Sequence, residues 1–525
     1  MNIKRAKEEI KNTIKAYLLK DEFGEYVIPS IRQRPVLLMG PPGIGKTQIM
    51  EQTARECHVG LVAYTITHHT RQSAVGLPFI KEKEYGGKAC SVTEYTMSEI
   101  IAAIYDKMER TGIKEGILFI DEINCVSETM APMMLQFLQC KTFGNQQVPE
   151  GWIIVAAGNP PEYNKSVRDF DVVTLDRVKR LDVEADYGVW KEYAYREKLQ
   201  GAILSYLDIR KDHFYRIETT VDGVFFATAR GWEDLSQFLS VYEELGQPVD
   251  AQVIGQYIQH PKIAKDFANY LELYHKYHRD YQIDEVLAGR VQPSVISKLH
   301  FAEFDERISV MGLLLDRLGE EFRKAYLQDR VVTELFGHLR SVRVRLDKMV
   351  ADTGNPAETD RELRDTVRCL EEERQLAEKA FQRDREAGQL DKLSEITAFK
   401  VQDKLEYMKK YVMNAAEDTK TDTGFSLVRE AFAEETQGRQ ELLDKTAEKL
   451  DYAFDFLEAA FGQGQELVVF VTELTAGYYS AWYIQENGCD RYYKYNKGLL
   501  FAERQQEISS QIEEAKDWMT GADLI

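Results

Sequence analysis

Eight consecutive residues limit what this chain can fold into more than any others: Gly40-Pro41-Pro42-Gly43-Ile44-Gly45-Lys46-Thr47. They fit the pattern G-x-x-x-x-G-K-[ST] at every specified position. The apolar run Val36-Leu37-Leu38-Met39 precedes them and reads as a short buried parallel strand. Residues 47–56 behind them read as a helix. A strand, loop and helix in this order make a phosphate cradle. Glycines let backbone N–H groups turn inward, and the helix N-terminus adds its positive end. Lys46 is then placed to reach the β- and γ-phosphates of a nucleotide, and Thr47 to offer its hydroxyl to Mg²⁺.

Further buried-strand patterns recur at helix-sized intervals, over residues 61–66, 117–120 and 152–157. Helical patterns cover 3–19, with Ile3, Ile10, Ile14 and Leu18 near one face, then 97–108 and 128–139. Alternating strands and helices predict an α/β domain with a parallel sheet and right-handed crossovers. The strand signals fade from about residue 187. Residues from about 190 to 300 read as mostly helical, and the remainder as long, charged helices. The expected division is therefore 1–186 (α/β), 187–299 (helical) and 300–525 (acidic, helical). The stretch from Glu371-Glu372-Glu373-Arg374 to Lys400 has a coiled-coil-like composition. It reads as the solvated faces of a helical bundle rather than as a true coiled coil.

The other chemistry-bearing residues sit where such a sheet would present them. In Ile117-Leu118-Phe119-Ile120-Asp121-Glu122, two carboxylates emerge at the C-terminal end of a buried strand, the edge at which open α/β sheets bind ligands. Asp121 suits the Mg²⁺ shell. Glu122 suits a general base that polarises a water. Asn159, in Gly158-Asn159-Pro160-Pro161, follows a central strand and can reach the attacking water. Arg177, ahead of Val178-Lys179-Arg180, is a candidate arginine finger acting in trans, with Arg180 as the second candidate. Arg230, in Thr228-Ala229-Arg230-Gly231-Trp232, stands at an apparent helix start and can touch the nucleotide from the lid side.

Other features carry less. His68-His69 reads as solvated loop, and His275 and His278 lack cysteine partners. The aromatic run Tyr478-Tyr479-Ser480-Ala481-Trp482-Tyr483 and the later Tyr492, Tyr493 and Tyr495 read as buried in the bundle. The six cysteines are scattered, with no CxxC pair and no zinc spacing, as suits a reducing cytoplasm. The N-terminus has no apolar h-region, and no apolar run approaches the roughly 18–20 residues of a membrane span. The net charge is −20, and residues 301–525 hold 46 Asp and Glu against 31 Lys and Arg. That balance argues against a nucleic-acid partner, since phosphate contacts need a basic face.

In their order and spacing these motifs resemble those of the AAA+ ATPases, and most closely the MoxR-like branch. The resemblance covers about residues 1–300 and is densest over 30–185. It implies a P-loop NTPase fold of the AAA+ type: a parallel sheet with helices on both faces, then a helical lid, then a long, mostly helical C-terminal region. It implies that residues Gly40, Pro41, Pro42, Gly43, Ile44, Gly45, Lys46 and Thr47 form the Walker A loop. Asp121 and Glu122 would be the Walker B pair, Asn159 sensor 1, Arg177 the finger and Arg230 sensor 2. It further implies Mg²⁺-dependent ATP hydrolysis by a cytoplasmic homo-oligomer, a hexameric ring. The ring would do chaperone-like work on partner proteins, including ones with a von Willebrand factor A domain. The chain departs from the family pattern at Val178, where Phe is common, and in a tail of about 225 residues. Residues 76–96, with Gly86-Gly87, fit the position of the family's helix-2 insert. The competing readings are a nucleic-acid motor or loader, disfavoured by charge, and a nucleotide-gated scaffold, disfavoured by Glu122.

Overall fold

The computed structural model describes residues 1–68, 76–127, 130–143, 146–163, 167, 170–221, 223–353, 359–417 and 424–497. His69, the first two residues of the helix anticipated at 128–139, and the chain beyond 497 lie outside them. By packing, the chain forms two compact units. One comprises Met1–Val189, Thr228–Gly231 and Gln375–Ala398; the other comprises Trp190–Ala227, Trp232–Arg374 and Phe399–Ile525.

The first unit is built on five parallel strands: β1 (Val36–Met39), β2 (Gly60–Thr65), β3 (Gly116–Asp121), β4 (Trp152–Gly158) and β5 (Lys179–Asp182). Their order across the sheet is β2-β3-β4-β1-β5. Helices flank the sheet, as the sequence predicts. Pleating sends Leu37, Leu118, Ile120, Ile154 and Ala156 to one face. There they form a core with Ile100, Ile101 and Ile104 of α3 (Glu99–Thr111) and with Met134, Phe137 and Leu138 of α4 (Ala131–Cys140). At the N-terminus α1 (Ile3–Tyr17) begins at Asn2, whose side chain accepts from the Arg5 N–H. It is tied to α2 (Lys46–Cys57) by Lys7 and Lys11, which pair with Glu56 at 2.5 and 2.9 Å.

β5 is absent from the sequence reading for a physical reason. It is an edge strand with only Leu181 buried, so it lacks the apolar run that marks the others. Its Lys179 points back to α1 and bonds the Thr13 hydroxyl at 2.8 Å. Residues 76–96 contain an antiparallel hairpin, Pro78–Tyr85 with Lys88–Tyr95. It turns at Gly86 and Gly87, both with positive φ (57° and 79°), as a two-residue primed turn requires.

The register of the sheet sets up one close packing arrangement. Gly60 on β2, Gly116 on β3 and Trp152 on β4 lie side by side. The fully buried indole lies across both glycines. A Cβ at Gly116 would sit 2.6 Å from its ring, and one at Gly60 3.1 Å away. Within the same unit the tip of a helical pair packs onto this end of the sheet. Gln389 Nε2 donates to the Val59 carbonyl at 3.1 Å, and Lys107 Nζ donates to the Ala387 carbonyl at 3.1 Å.

The second unit is mostly helical. Tyr206, Trp232 and Phe267 form a buried aromatic centre, the last two edge-on at 5.3 Å. A hairpin, Arg216–Thr220 with Gly223–Ala227, interrupts the helices and was not legible as strand. The helices Phe304–Thr353, Lys392–Glu417 and Gly424–Phe461 share one core. Leu335, Leu339, Val342 and Leu346 meet Leu405, Met408 and Val412 of the second helix and Val428 and Ala431 of the third. Leu363, Cys369 and Leu370 of a fourth helix, Thr359–Ala387, join the same core, and the four make a bundle. Its buried Glu373 is paired with His338 at 2.8 Å and with Arg345. Of the aromatic residues near the C-terminus that the sequence places in the bundle, Tyr479, Tyr483 and Tyr492 are buried, Trp482 and Tyr495 are half-buried, and Tyr478 and Tyr493 are exposed; the Tyr483 hydroxyl donates to the Leu443 carbonyl at 2.7 Å.

Gly116→Ala should destabilise the protein by about 1–3 kcal/mol, because the added methyl overlaps the Trp152 ring in a packed core. Urea denaturation followed by tryptophan fluorescence would measure this. An unchanged midpoint would show that the ring shifts freely.

Candidate nucleotide site

The C-terminal ends of β1, β3 and β4 converge on one loop. β1 runs in register with β4, Met39 beside Gly158, and with β5, Met39 beside Asp182. The chain leaves β1 through Gly40, whose N–H donates to the Gly158 carbonyl at 3.3 Å. A Cβ there would lie 2.6 Å from the Val183 carbonyl oxygen, so only glycine passes without a shift. Gly43 and Gly45 hold φ of 74° and 91°, the left-handed region that lets a loop fold its N–H groups inward. Helix α2 starts at Lys46, directly after this turn.

Lys46 is buried, 8 % exposed. Its ammonium donates three hydrogen bonds of 2.8 Å, to the Gly40 and Pro41 carbonyls and to Asn159 Oδ1. Burial pulls its pKa down to about 8. Asp121 opposes that shift, and the Arg230 guanidinium adds to it. The Thr47 hydroxyl donates to Asp121 Oδ2 at 3.0 Å. The structure thus brings together Lys46, Thr47, Asp121 and Asn159 from three separate stretches of chain.

Glu122 follows Asp121 in a left-handed backbone conformation (φ 57°), unusual for a residue with a side chain. Its N–H donates to Asp121 Oδ1 at 2.9 Å, and its carboxylate accepts from the Thr67 hydroxyl at 2.8 Å. Asn159 is clamped through its backbone by Asn124. The amide of Asn124 donates to the Asn159 carbonyl at 2.7 Å, and its Oδ1 accepts from the Asn159 N–H at 3.3 Å. The clamp needs Gly158, since a Cβ there would lie 2.5 Å from Asn124 Oδ1.

Arg230 lies in the first turn of a helix, Ala229–Glu244, whose start packs in this unit. Its N–H donates to the Gly43 carbonyl at 3.1 Å, which joins that helix start directly to the loop. Arg177 is placed differently. It is exposed and bonds the Gln139 side chain, with no hydrogen bond to the Lys46 loop among the described residues. Arg180, also exposed, pairs with Asp182 at 2.8 Å. Val178 is buried in the core. His275 pairs with Glu243 at 3.4 Å.

Sequence reasoning missed Thr67, Asn124 and Gln139, although Asn124 stands two residues after Glu122 and Thr67 directly after the second anticipated strand. Thr67 and Asn124 reach the site, and Gln139 reaches Arg177, through contacts distant in sequence, which no local pattern records.

The groups present fit a Mg²⁺-nucleotide. Left-handed glycines and a helix N-terminus can cradle phosphate, and a buried ammonium held only by neutral oxygens gains most from an anion. Among the described residues no group of three or more His, Cys, Asp or Glu can hold a metal by itself. Thr47 and Asp121 suit a Mg²⁺ that takes its remaining ligands from phosphate and water.

The lowered pKa of Lys46 has a testable sign. Below about pH 8 the residue is charged in both folded and unfolded chains. Between about 8 and the unfolded value of 10.5 the folded protein releases the proton first. Stability relative to Lys46→Met should therefore rise with pH, by about 2 kcal/mol from pH 7 to pH 9.5. Denaturant titrations of both proteins at the two pH values would measure it. A flat difference would show that Lys46 keeps its ordinary pKa.

Comparison with known proteins agrees with this geometry. Residues 36–175, which span β1 to the short helix before Arg177, match the model of the AAA family, described as ATPase family associated with various cellular activities. No curated protein matches the chain. The match and the five-stranded parallel sheet identify the first unit as a P-loop fold of the AAA+ type, and the family supports ATP-driven activity.

Proposed function

We propose that this chain hydrolyses ATP with Mg²⁺ and works as a MoxR-like AAA+ remodeller of partner proteins. The observation that carries the reading is the placement of Lys46. Its ammonium sits between the Gly40 and Pro41 carbonyls and Asn159, beside a Thr47–Asp121 pair.

In this reading the backbone from Gly40 to Gly45 cradles the β-phosphate, and Lys46 exchanges its carbonyl partners for β- and γ-phosphate oxygens. When bound at Thr47 and Asp121, Mg²⁺ supplies charge neutralisation. Asn159, fixed by Asn124, orients a water in line with the γ-phosphorus. Glu122 takes that water's proton as the new P–O bond forms and the bond to ADP breaks. Thr67 holds the Glu122 carboxylate until that point. Arg230 senses the nucleotide from the lid side.

Arg177 stands apart from the rest of this chain's set, which supports a role toward a neighbouring subunit in a ring. A homo-hexamer and a partner with a von Willebrand factor A domain follow from the resemblance. The charge of −20 supports a protein rather than a nucleic-acid partner. None of the described helices is long and apolar enough to cross a membrane.

Glu122→Gln should bind ATP normally and lose about 100-fold or more in turnover, since the amide keeps the shape but accepts no proton. Isothermal titration with ATP and a phosphate-release assay would separate the two effects. Near-normal turnover would assign the base elsewhere.

Arg177→Ala should bind ATP and hydrolyse it poorly, by about 10³-fold where the arginine acts in trans. Specific activity of the unaltered protein should rise with concentration. Mixing Arg177→Ala with Glu122→Gln subunits should restore activity, because a mixed interface pairs an intact Glu122 with an intact Arg177. No rescue, with activity independent of concentration, would place the arginine in cis.

A further inference from the structure

The second unit contains a partly open cavity of about 60 Å³. Its walls come from helix Gly201–Ile209, the long helix Phe304–Thr353, and helices Gln465–Ala476 and Tyr478–Asn487. Gly201, Gly312, Gly319 and Gly477 line it, so backbone rather than side chain bounds much of the space. At Gly201 a Cβ would lie 2.7 Å from the Asp316 carboxyl carbon and 2.8 Å from the Tyr274 hydroxyl. At Gly319 it would meet nothing within 4 Å.

Most polar side chains facing this cavity are already satisfied. Lys198 pairs with Glu320 at 2.9 Å, and Glu473 pairs with Lys191 and accepts from the Tyr195 hydroxyl at 2.7 Å. The Tyr478 hydroxyl meets that of Tyr326, and the Ser480 hydroxyl bonds the Leu474 carbonyl.

Two groups of opposite charge are not fully satisfied. Asp316 has no hydrogen-bond or ion-pair partner among the described residues. Burial, reinforced by Glu320, pushes its carboxyl up to about 6 against the pull of Lys198 and Arg317. It is half-buried and lines the cavity. Arg323 touches the Tyr479 hydroxyl, yet its Nε–H is buried without an acceptor. Behind Gly201, the Tyr274 hydroxyl is also buried without a partner, in a side chain only 7 % exposed.

Asp316 and Arg323 stand two turns apart on one face of the same helix, about 10 Å along its axis. Helix side chains lean toward the N-terminus, so the long stem of Arg323 leans toward Asp316. Buried polar groups without partners are costly, and a ligand of complementary charge relieves that cost. The volume corresponds to roughly four to six water-sized positions, the size of a molecule with five or six heavy atoms.

We propose that this cavity binds a small zwitterion of the α-amino-acid class, glycine or alanine in size, with its ammonium on Asp316 and its carboxylate on Arg323. The Arg323 guanidinium supplies the charge-assisted bond to the carboxylate. Asp316, facing a cavity too small for a long side chain, takes the ammonium. The site is separate from the nucleotide loop and does not depend on ATP hydrolysis.

Isothermal titration of the full chain with glycine and with L-alanine tests this, with methylammonium and acetate as half-molecules. At least one amino acid should bind, and each half should bind at least about tenfold more weakly. Asp316→Asn and Arg323→Gln should each weaken binding at least about tenfold. Gly319→Leu, which places a side chain in the open space, should abolish it. ATP binding and the thermal midpoint report that each variant is folded. No heat from either amino acid into the millimolar range would overturn the proposal. So would halves that bind as well as the whole, or undiminished binding by folded Asp316→Asn, Arg323→Gln or Gly319→Leu.

Discussion

A buried positive charge without an anionic partner bonded to it organises the first unit. The Lys46 ammonium is removed from water and held by two carbonyls of its own loop and one side-chain amide. Neutral oxygens satisfy its hydrogen bonds but only partly replace its hydration, and the lowered pKa records the shortfall. The fold tolerates this cost because the surrounding backbone is fixed by other means. Gly40 threads beside Val183, Gly158 leaves room for Asn124, and Asn124 pins the backbone that presents Asn159. The polar groups of the candidate site are therefore held by backbone and side-chain bonds of the fold itself, the condition under which electrostatic stabilisation is most effective.

The same logic explains why the carboxylate pair sits where it does. β3 is buried along its length and releases Asp121 and Glu122 only at its end. Asp121 continues the strand toward Thr47, whereas Glu122 turns away through a left-handed backbone and is held by Thr67 from the end of β2. Two adjacent acids are thus given different partners and different directions. One faces the hydroxyl that starts the helix, and the other is kept on a separate neighbour. Strain at Glu122 is maintained by the packed strand before it, as is common where backbone geometry serves a site.

Much of this was legible in the sequence, and the boundary of what was legible follows from physics. β1, β3 and β4 announce themselves because strands covered on both faces must be apolar throughout, and Lys46, Thr47, Asp121 and Asn159 follow from their positions at strand ends. β5 does not announce itself, since an edge strand with one buried residue has no such pattern. The hairpin at 78–95 is mostly exposed and carries mixed polar residues, so neither strand period nor helix period dominates there, and the strands Arg216–Thr220 and Gly223–Ala227 are too short and only partly buried to stand out within a helical region. Asn124, Thr67 and Gln139 are ordinary polar residues until tertiary packing aims them. The C-terminal helices were legible only as long, charged helices of a bundle, and not their shared core, because the choice among partners depends on side-chain shape rather than on composition.

The contact between Trp152, Gly60 and Gly116 has a consequence for how related chains can differ. The indole occupies the volume that two side chains on neighbouring strands would otherwise fill. A smaller residue at 152 would leave a void that alanine at 60 or 116 could fill, whereas with the ring in place alanine at 116 overlaps it and alanine at 60 presses tightly against it. These positions lie on three different strands and are far apart in sequence, yet they form one steric unit. In an alignment of relatives they are expected to covary, with the bulky ring present where both glycines are retained and absent where they are lost.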